Sequence, residues 1–121
     1  KLLSMDQLSH LRRPTTEPSL NSLEMDLLWA DPAPGVSGVI PSTRGAGVLF
    51  GEDVVERVLA QLGLDYIIRA HQAVPDGVRY FANGRLITIF SAPDYCRRSN
   101  TAATLTVAPD LSHTITHFPP A

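Results

Sequence analysis

The hydrophobic period of this chain changes at Leu64, and that change restricts its possible folds more than any other feature of the sequence. Before it, in "GEDVVERVLAQLGL", Val54, Val55, Val58, Leu59 and Leu62 recur at helical spacing, and Gly63 is a stop signal. After it, "DYIIRAH", "VRYFA", "RLITIFSA", "TAATLTVA" and "SHTITHF" are short β-rich runs punctuated by "PDG", "NG" and "PD". "YFANGRLITIF" reads as a hairpin with Asn83-Gly84 at its turn. The order predicts an α/β chain in which helices come first and an antiparallel meander follows.

Upstream of that point the signals are shorter. "SMDQLSHLRRP" predicts a helix capped by Ser4, with Met5, Leu8 and Leu11 on one face and Pro14 as its end. "SLEMDLLWAD" predicts a second helix, capped by Ser22, with Leu23, Leu27 and Leu28 as a buried stripe. Residues 31–47, "DPAPGVSGVIPSTRGAG", are rich in Pro and Gly and show no period, which predicts a long loop of the kind that often carries function. No internal repeat or low-complexity segment interrupts the chain.

The bulk numbers narrow the class of partner. A chain of 121 residues is enough for one modest core. A net charge of −2 argues against a broad electrostatic surface for nucleic acid. No apolar run approaches the roughly 18 residues of a membrane span, and no signal-peptide pattern opens the sequence. The single cysteine, Cys96, has no internal partner for a disulfide, so a reducing compartment is expected. A start at Lys1, leading straight into an amphipathic stretch, reads as a piece of something longer.

Four features stand above the background. His71 lies where the buried run "LDYIIRA" ends and a turn begins, a position suited to holding a metal and equally suited to a structural hydrogen bond. Arg44 sits in "STRGAGVLFG", where a planar guanidinium can offer its fork to a phosphate or simply be solvated. "SAPDYCRRSN" releases Tyr95 and Cys96 into a loop after a strand, Tyr95 being as well suited to packing as to binding. Cys96 is followed by Arg97 and Arg98, but "CRRSNTA" lacks the cradle of a cysteine phosphatase. Asp31, in "WADP", is a carboxylate just past a helix. The remaining histidines, His10, His113 and His117, do not pair with His71 at ligand spacing, and no Walker loop, zinc-finger spacing or nucleophile elbow is present.

Taken together, "DLLWADP", "RGAGVLFG", "LDYIIRAHQAVPDG" and "LITIFSAPDYC" follow the order, and nearly the spacing, of the phosphoprotein phosphatase family of Ser/Thr phosphatases. "SMDQLSHLRRPTTEP" is most similar to the type-1 branch. The resemblance covers almost the whole chain and implies that residues 1–121 are the C-terminal part of a catalytic domain. The implied fold is a metallophosphatase-type β-sandwich flanked by helices, of which this chain supplies the half with helices followed by a meander. The implied chemistry is hydrolysis of phosphoserine and phosphothreonine in proteins. By the resemblance it uses two divalent metal ions, manganese, iron or zinc, bridged by a water or hydroxide that attacks the phosphorus. By this resemblance His71 is a metal ligand, Arg44 a phosphate clamp, Tyr95 a wall of the phosphate pocket, and Cys96 an accessible side chain on its rim. The role of Asp31 stays open.

The departures from the family pattern are equally specific. The "GD-HG", "GD-VDRG" and "GNHE" blocks, which carry most metal ligands, another arginine and the acid histidine, are absent. The "HGG" ligand motif is expected just before residue 1, so the segment alone is expected to be inactive. Asp94 stands where the family usually has Asn, and the rim reads "CRRSN", shorter and more basic than in type-1 enzymes, which suits acidic phosphosites. The resemblance also implies regulatory subunits docking on the meander, at or near Tyr80, Ile87, Ile89, Leu105, Leu111 and Ile115, with His113 where a smaller side chain is usual. No nucleic-acid or membrane partner is expected, and a cytoplasmic or nuclear location is. The alternative function is that of a non-catalytic, phosphatase-like remnant that binds regulatory proteins.

Overall fold

The computed structural model describes residues 3–121. They form two compact units, the first running to Ile67 and the second from Ile68 to Ala121.

In the first unit, helix α1 spans Met5–Ser9 and begins in a capping box. The Ser4 hydroxyl accepts the Gln7 amide at 3.1 Å, and the Gln7 side chain accepts the Ser4 amide at 2.9 Å. The helix ends well short of Pro14. It buries none of its residues, so no packing carries it past its first turns, and the residue before a proline resists helical geometry. Helix α2, Leu23–Trp29, is capped by the Ser22 hydroxyl, which accepts the Met25 amide at 3.1 Å. The expected buried stripe is not buried, since Leu27 is 48% and Leu28 51% exposed. A helical period announces an apolar face without saying that this unit covers it.

Residues 31–47 are not one loop. They contain strands β1, Asp31–Pro32, and β2, Val39–Pro41, which join β3, Val48–Phe50, in a sheet of order β1-β3-β2. β1 runs parallel to β3, with Asp31 beside Leu49, and β2 runs antiparallel to it, with Ile40 beside Leu49. Strands this short are below the length at which alternation can be read. Pro32 and Pro41, which weigh against strands, lie on the two edges, where a missing N–H costs least. Helix α3, Glu52–Leu62, buries Val55 and Leu59 to 1% exposure, and Gly63 closes it in the left-handed conformation. The Gly38 amide donates to both Asp53 carboxylate oxygens at 3.0 Å, which ties the preceding loop to the first turn of α3.

The second unit opens within β4, Ile67–Arg69, which lies in a sheet of order β4-β6-β5 with β5, Val78–Phe81, and β6, Leu86–Ile89. β5 and β6 pair antiparallel from Val78 beside Ile89 to Phe81 beside Leu86. The Arg85 amide closes the turn onto the Ala82 carbonyl at 3.0 Å, with Asn83 at φ 53° and Gly84 at φ 81°. Both central residues therefore have the positive φ that an Asn-Gly hairpin requires. β6 is the core strand, with Leu86, Ile87 and Thr88 at 0%, 0% and 1% exposure. β7, Ala102–Val107, and β8, His113–Phe118, form a separate two-stranded antiparallel sheet. The strand-rich half is thus two sheets and not one meander. The segment between β6 and β7 turns through four residues of positive φ, Asp94, Cys96, Arg97 and Ser99, so β7 does not fold straight back along β6. Backbone bonds from Ala103 to Phe90 and from Thr101 to Pro75, both 2.9 Å, hold the start of β7 to the rest of this unit.

Candidate functional site

In the first unit the structure brings Arg44 and Asp31 together. Arg44 lies on the loop between β2 and β3, where its amide donates to the Ser42 hydroxyl at 3.1 Å. Its Nη1 donates to Asp31 Oδ2 at 2.8 Å. The carboxylate is 2% exposed at the start of β1, while the arginine side chain is 45% exposed. A buried charge needs such a partner, and the aspartate in turn fixes the guanidinium without using up its donors. The loop can make this approach because of Gly47. At φ 74° it adopts a conformation that other residues resist, and a Cβ there would lie 2.8 Å from both the Cβ and the carbonyl oxygen of Trp29. The separation of thirteen positions between Asp31 and Arg44 carries no sequence signal of pairing.

In the second unit His71 lies past the end of β4, half-buried, with φ 80°. A left-handed backbone at a residue with a β-carbon costs on the order of 1 kcal/mol or more and persists only where the surroundings hold it. Arg69 provides such a hold. Its Nη1 donates to the Gln72 side chain at 2.8 Å and to the Thr88 hydroxyl at 3.2 Å, the latter on the buried strand β6. The histidine is thereby flanked by a loop anchored through Arg69, Gln72 and Thr88, whose contacts carry no signal in the sequence.

Tyr95 and Cys96 share one loop in the same unit. Tyr95 opens a 3₁₀ turn, Tyr95–Arg97, and its ring meets Phe90 edge-on, with centroids 5.1 Å apart. It remains 46% exposed, and Cys96 is exposed and free. The loop is closed by Asn100, which is buried. Its Oδ1 accepts the Tyr95 amide and its Nδ2 donates to the Ala92 carbonyl, both at 2.8 Å. Asp94 Oδ1 accepts the Ser99 amide at 3.0 Å, so this carboxylate serves as a turn-former within the loop. An amide that reaches backbone on both sides of a loop, as Asn100 does, leaves no mark in the spacing of "SAPDYCRRSN".

Among the described residues no three His, Cys, Asp or Glu side chains gather as a metal site would require. The residues present therefore do not make a two-metal cage by themselves; His71 is a single imidazole. No helix among the described residues is long and apolar enough to cross a membrane.

Known proteins resemble this chain over nearly its whole length. A family model described as calcineurin-like phosphoesterase matches residues 1–75. The serine/threonine-protein phosphatase PP1-delta of Caenorhabditis elegans is 44% identical over 120 residues, which are 98% of this chain and 39% of that protein. A solved structure of a protein serine/threonine phosphatase from Saccharomyces cerevisiae, described as similar to human phosphatase PP5, superposes with a TM-score of 0.87. It is 30% identical and matches 98% of this chain and 40% of its own. The chain thus spans about two fifths of the length of these relatives. Its α/β architecture, with mixed and antiparallel sheets, is that of the metallophosphatase fold. The resemblance read from the four sequence blocks holds, and the chain belongs to the calcineurin-like phosphoesterase family.

Proposed function

We propose that this chain is part of a protein serine/threonine phosphatase and supplies the arginine that holds the phosphate. The observation that carries the proposal is the Arg44–Asp31 pair. A half-exposed guanidinium is pinned at 2.8 Å by a buried carboxylate, on a loop held close by Gly47. One N–H of the fork is engaged by Asp31, which leaves the other donors for phosphate oxygens. Tyr95, backed by Phe90, forms a wall of the phosphate pocket, with Cys96 on its rim. His71 would offer one imidazole to a divalent metal, whose remaining ligands are not among the described residues. Divalent metal ions, manganese, iron or zinc, would supply an activated water and neutralise phosphate charge there. The similarity to proteins named as serine/threonine phosphatases supports phosphoserine and phosphothreonine in proteins as the substrates.

Regulatory subunits are proposed to dock on the exposed side chains of the strand-rich half, Tyr80 and Leu111 among them, at 51% and 49% exposure. Ile87 is fully buried and is excluded from that surface. A cytoplasmic or nuclear location is part of the same proposal.

The test is phosphate release from phosphoserine peptides by the complete native polypeptide, supplied with divalent metal. Arg44→Lys keeps a charge for Asp31 and removes the planar fork. We expect it to lower kcat/KM by about a hundredfold, the scale of losing one well-placed donor. Absence of phosphate release by the unsubstituted protein would overturn the proposal.

A further inference from the structure

We propose that Arg97 and Arg98 select phosphosites flanked by acidic residues. This rests on the phosphatase reading, through the place of Tyr95 in the pocket. Both arginines are exposed, and they follow Tyr95 on the same closed loop. Neither makes an ion pair among the described residues. Asp94, the acidic residue of the loop, has Oδ1 on the Ser99 amide and is not paired with either arginine.

The loop that presents them is over-determined. Asn100 clamps it to the Ala92 carbonyl and the Tyr95 amide, Asp94 to the Ser99 amide, and the Asp94 amide to the Asn100 carbonyl at 3.0 Å. Arg97 itself is held at φ 59°, a left-handed conformation that only such closure sustains. Two guanidiniums on a fixed backbone lose less freedom on meeting a carboxylate than two on a mobile one. An extended peptide whose phosphoserine enters beside Tyr95 carries its flanking side chains over this loop, where Asp or Glu meets unpaired positive charge. The chain as a whole has net charge −2, so the positive patch is local and its selectivity is for the peptide's flanks.

The test uses the complete native polypeptide and two fluorescein-labelled phosphoserine peptides, one with Glu and one with Gln at the flanking positions. Anisotropy gives binding, and phosphate release is followed in parallel. The Glu peptide is expected to bind about tenfold more tightly at low salt, the sum of two exposed ion pairs, and the gap should close as salt is raised. R97E/R98E should reverse the preference and R97Q/R98Q should abolish it. Both pairs keep a β-carbon at Arg97, so the strain of its backbone is unchanged. Equal binding of the two peptides, or a preference untouched by either double variant, overturns the proposal. A preference in binding without phosphate release supports these arginines and counts against the phosphatase reading alone.

Discussion

Asn100 shows how one buried amide holds a candidate site together. Asn100→Ala removes a donor and an acceptor at 2.8 Å and leaves the Tyr95 amide and the Ala92 carbonyl unpartnered. We expect a loss of about 1–3 kcal/mol, measured by chemical denaturation, together with a broadened signal from the Tyr95 ring. Asp110 offers a pH-dependent case. Its carboxylate accepts the Ser112 hydroxyl at 2.6 Å and the Ser112 amide at 3.0 Å, and these bonds hold its pKa below the usual aspartate value. A lowered folded-state pKa means that the stabilisation is present above the unfolded aspartate's pKa and is lost as pH falls through the folded one. The Ser112 amide resonance should move with that acid titration, and in Asp110→Asn it should not. At this scale the sequence was legible where a residue type announces a local bond, as with the helix caps Ser4 and Ser22. It was not legible where the bond falls outside any regular spacing, as with Asp31 to Arg44 and Asn100 to Tyr95 and Ala92.

At the scale of elements, hydrophobic period served α3 well and failed between Asp31 and Phe50. Val55 and Leu59 are the buried face of α3, as their spacing predicts, and Leu59→Ala should cost about 2–5 kcal/mol in chemical denaturation. β1 and β2 are only two and three residues long, and each contains a proline, so nothing in their sequence marks a strand. They form because β3 offers an edge on each side. The loop that follows β2 then depends on Gly47. Gly47→Ala places a methyl group against Trp29 in a backbone conformation unfavourable to alanine, and a loss of about 1–3 kcal/mol is expected. A circular-dichroism melt would read it as a lower Tm.

Across the whole molecule, stability is uneven in a way that hydrogen exchange can read. Leu86, Ile87 and Thr88 are fully buried on a central strand, and their amides should exchange most slowly. Those of α1, which buries nothing, should exchange fastest, and comparable rates in the two segments would contradict the burial pattern. The sequence by itself determined the helices, because Ser4, Ser22 and Gly63 act through bonds only a few residues long. It determined the Asn83-Gly84 turn for the same reason, since positive φ is a local demand. It also carried the family, because "RAHQ" and "SAPDYC" are contiguous. Tertiary structure alone decided that the strand-rich half is two sheets, that Leu27 and Leu28 remain exposed, and that Asp31 anchors Arg44. Each of these depends on which groups meet across long stretches of chain, and chain separation erases the periodic signal from which such meetings could be read.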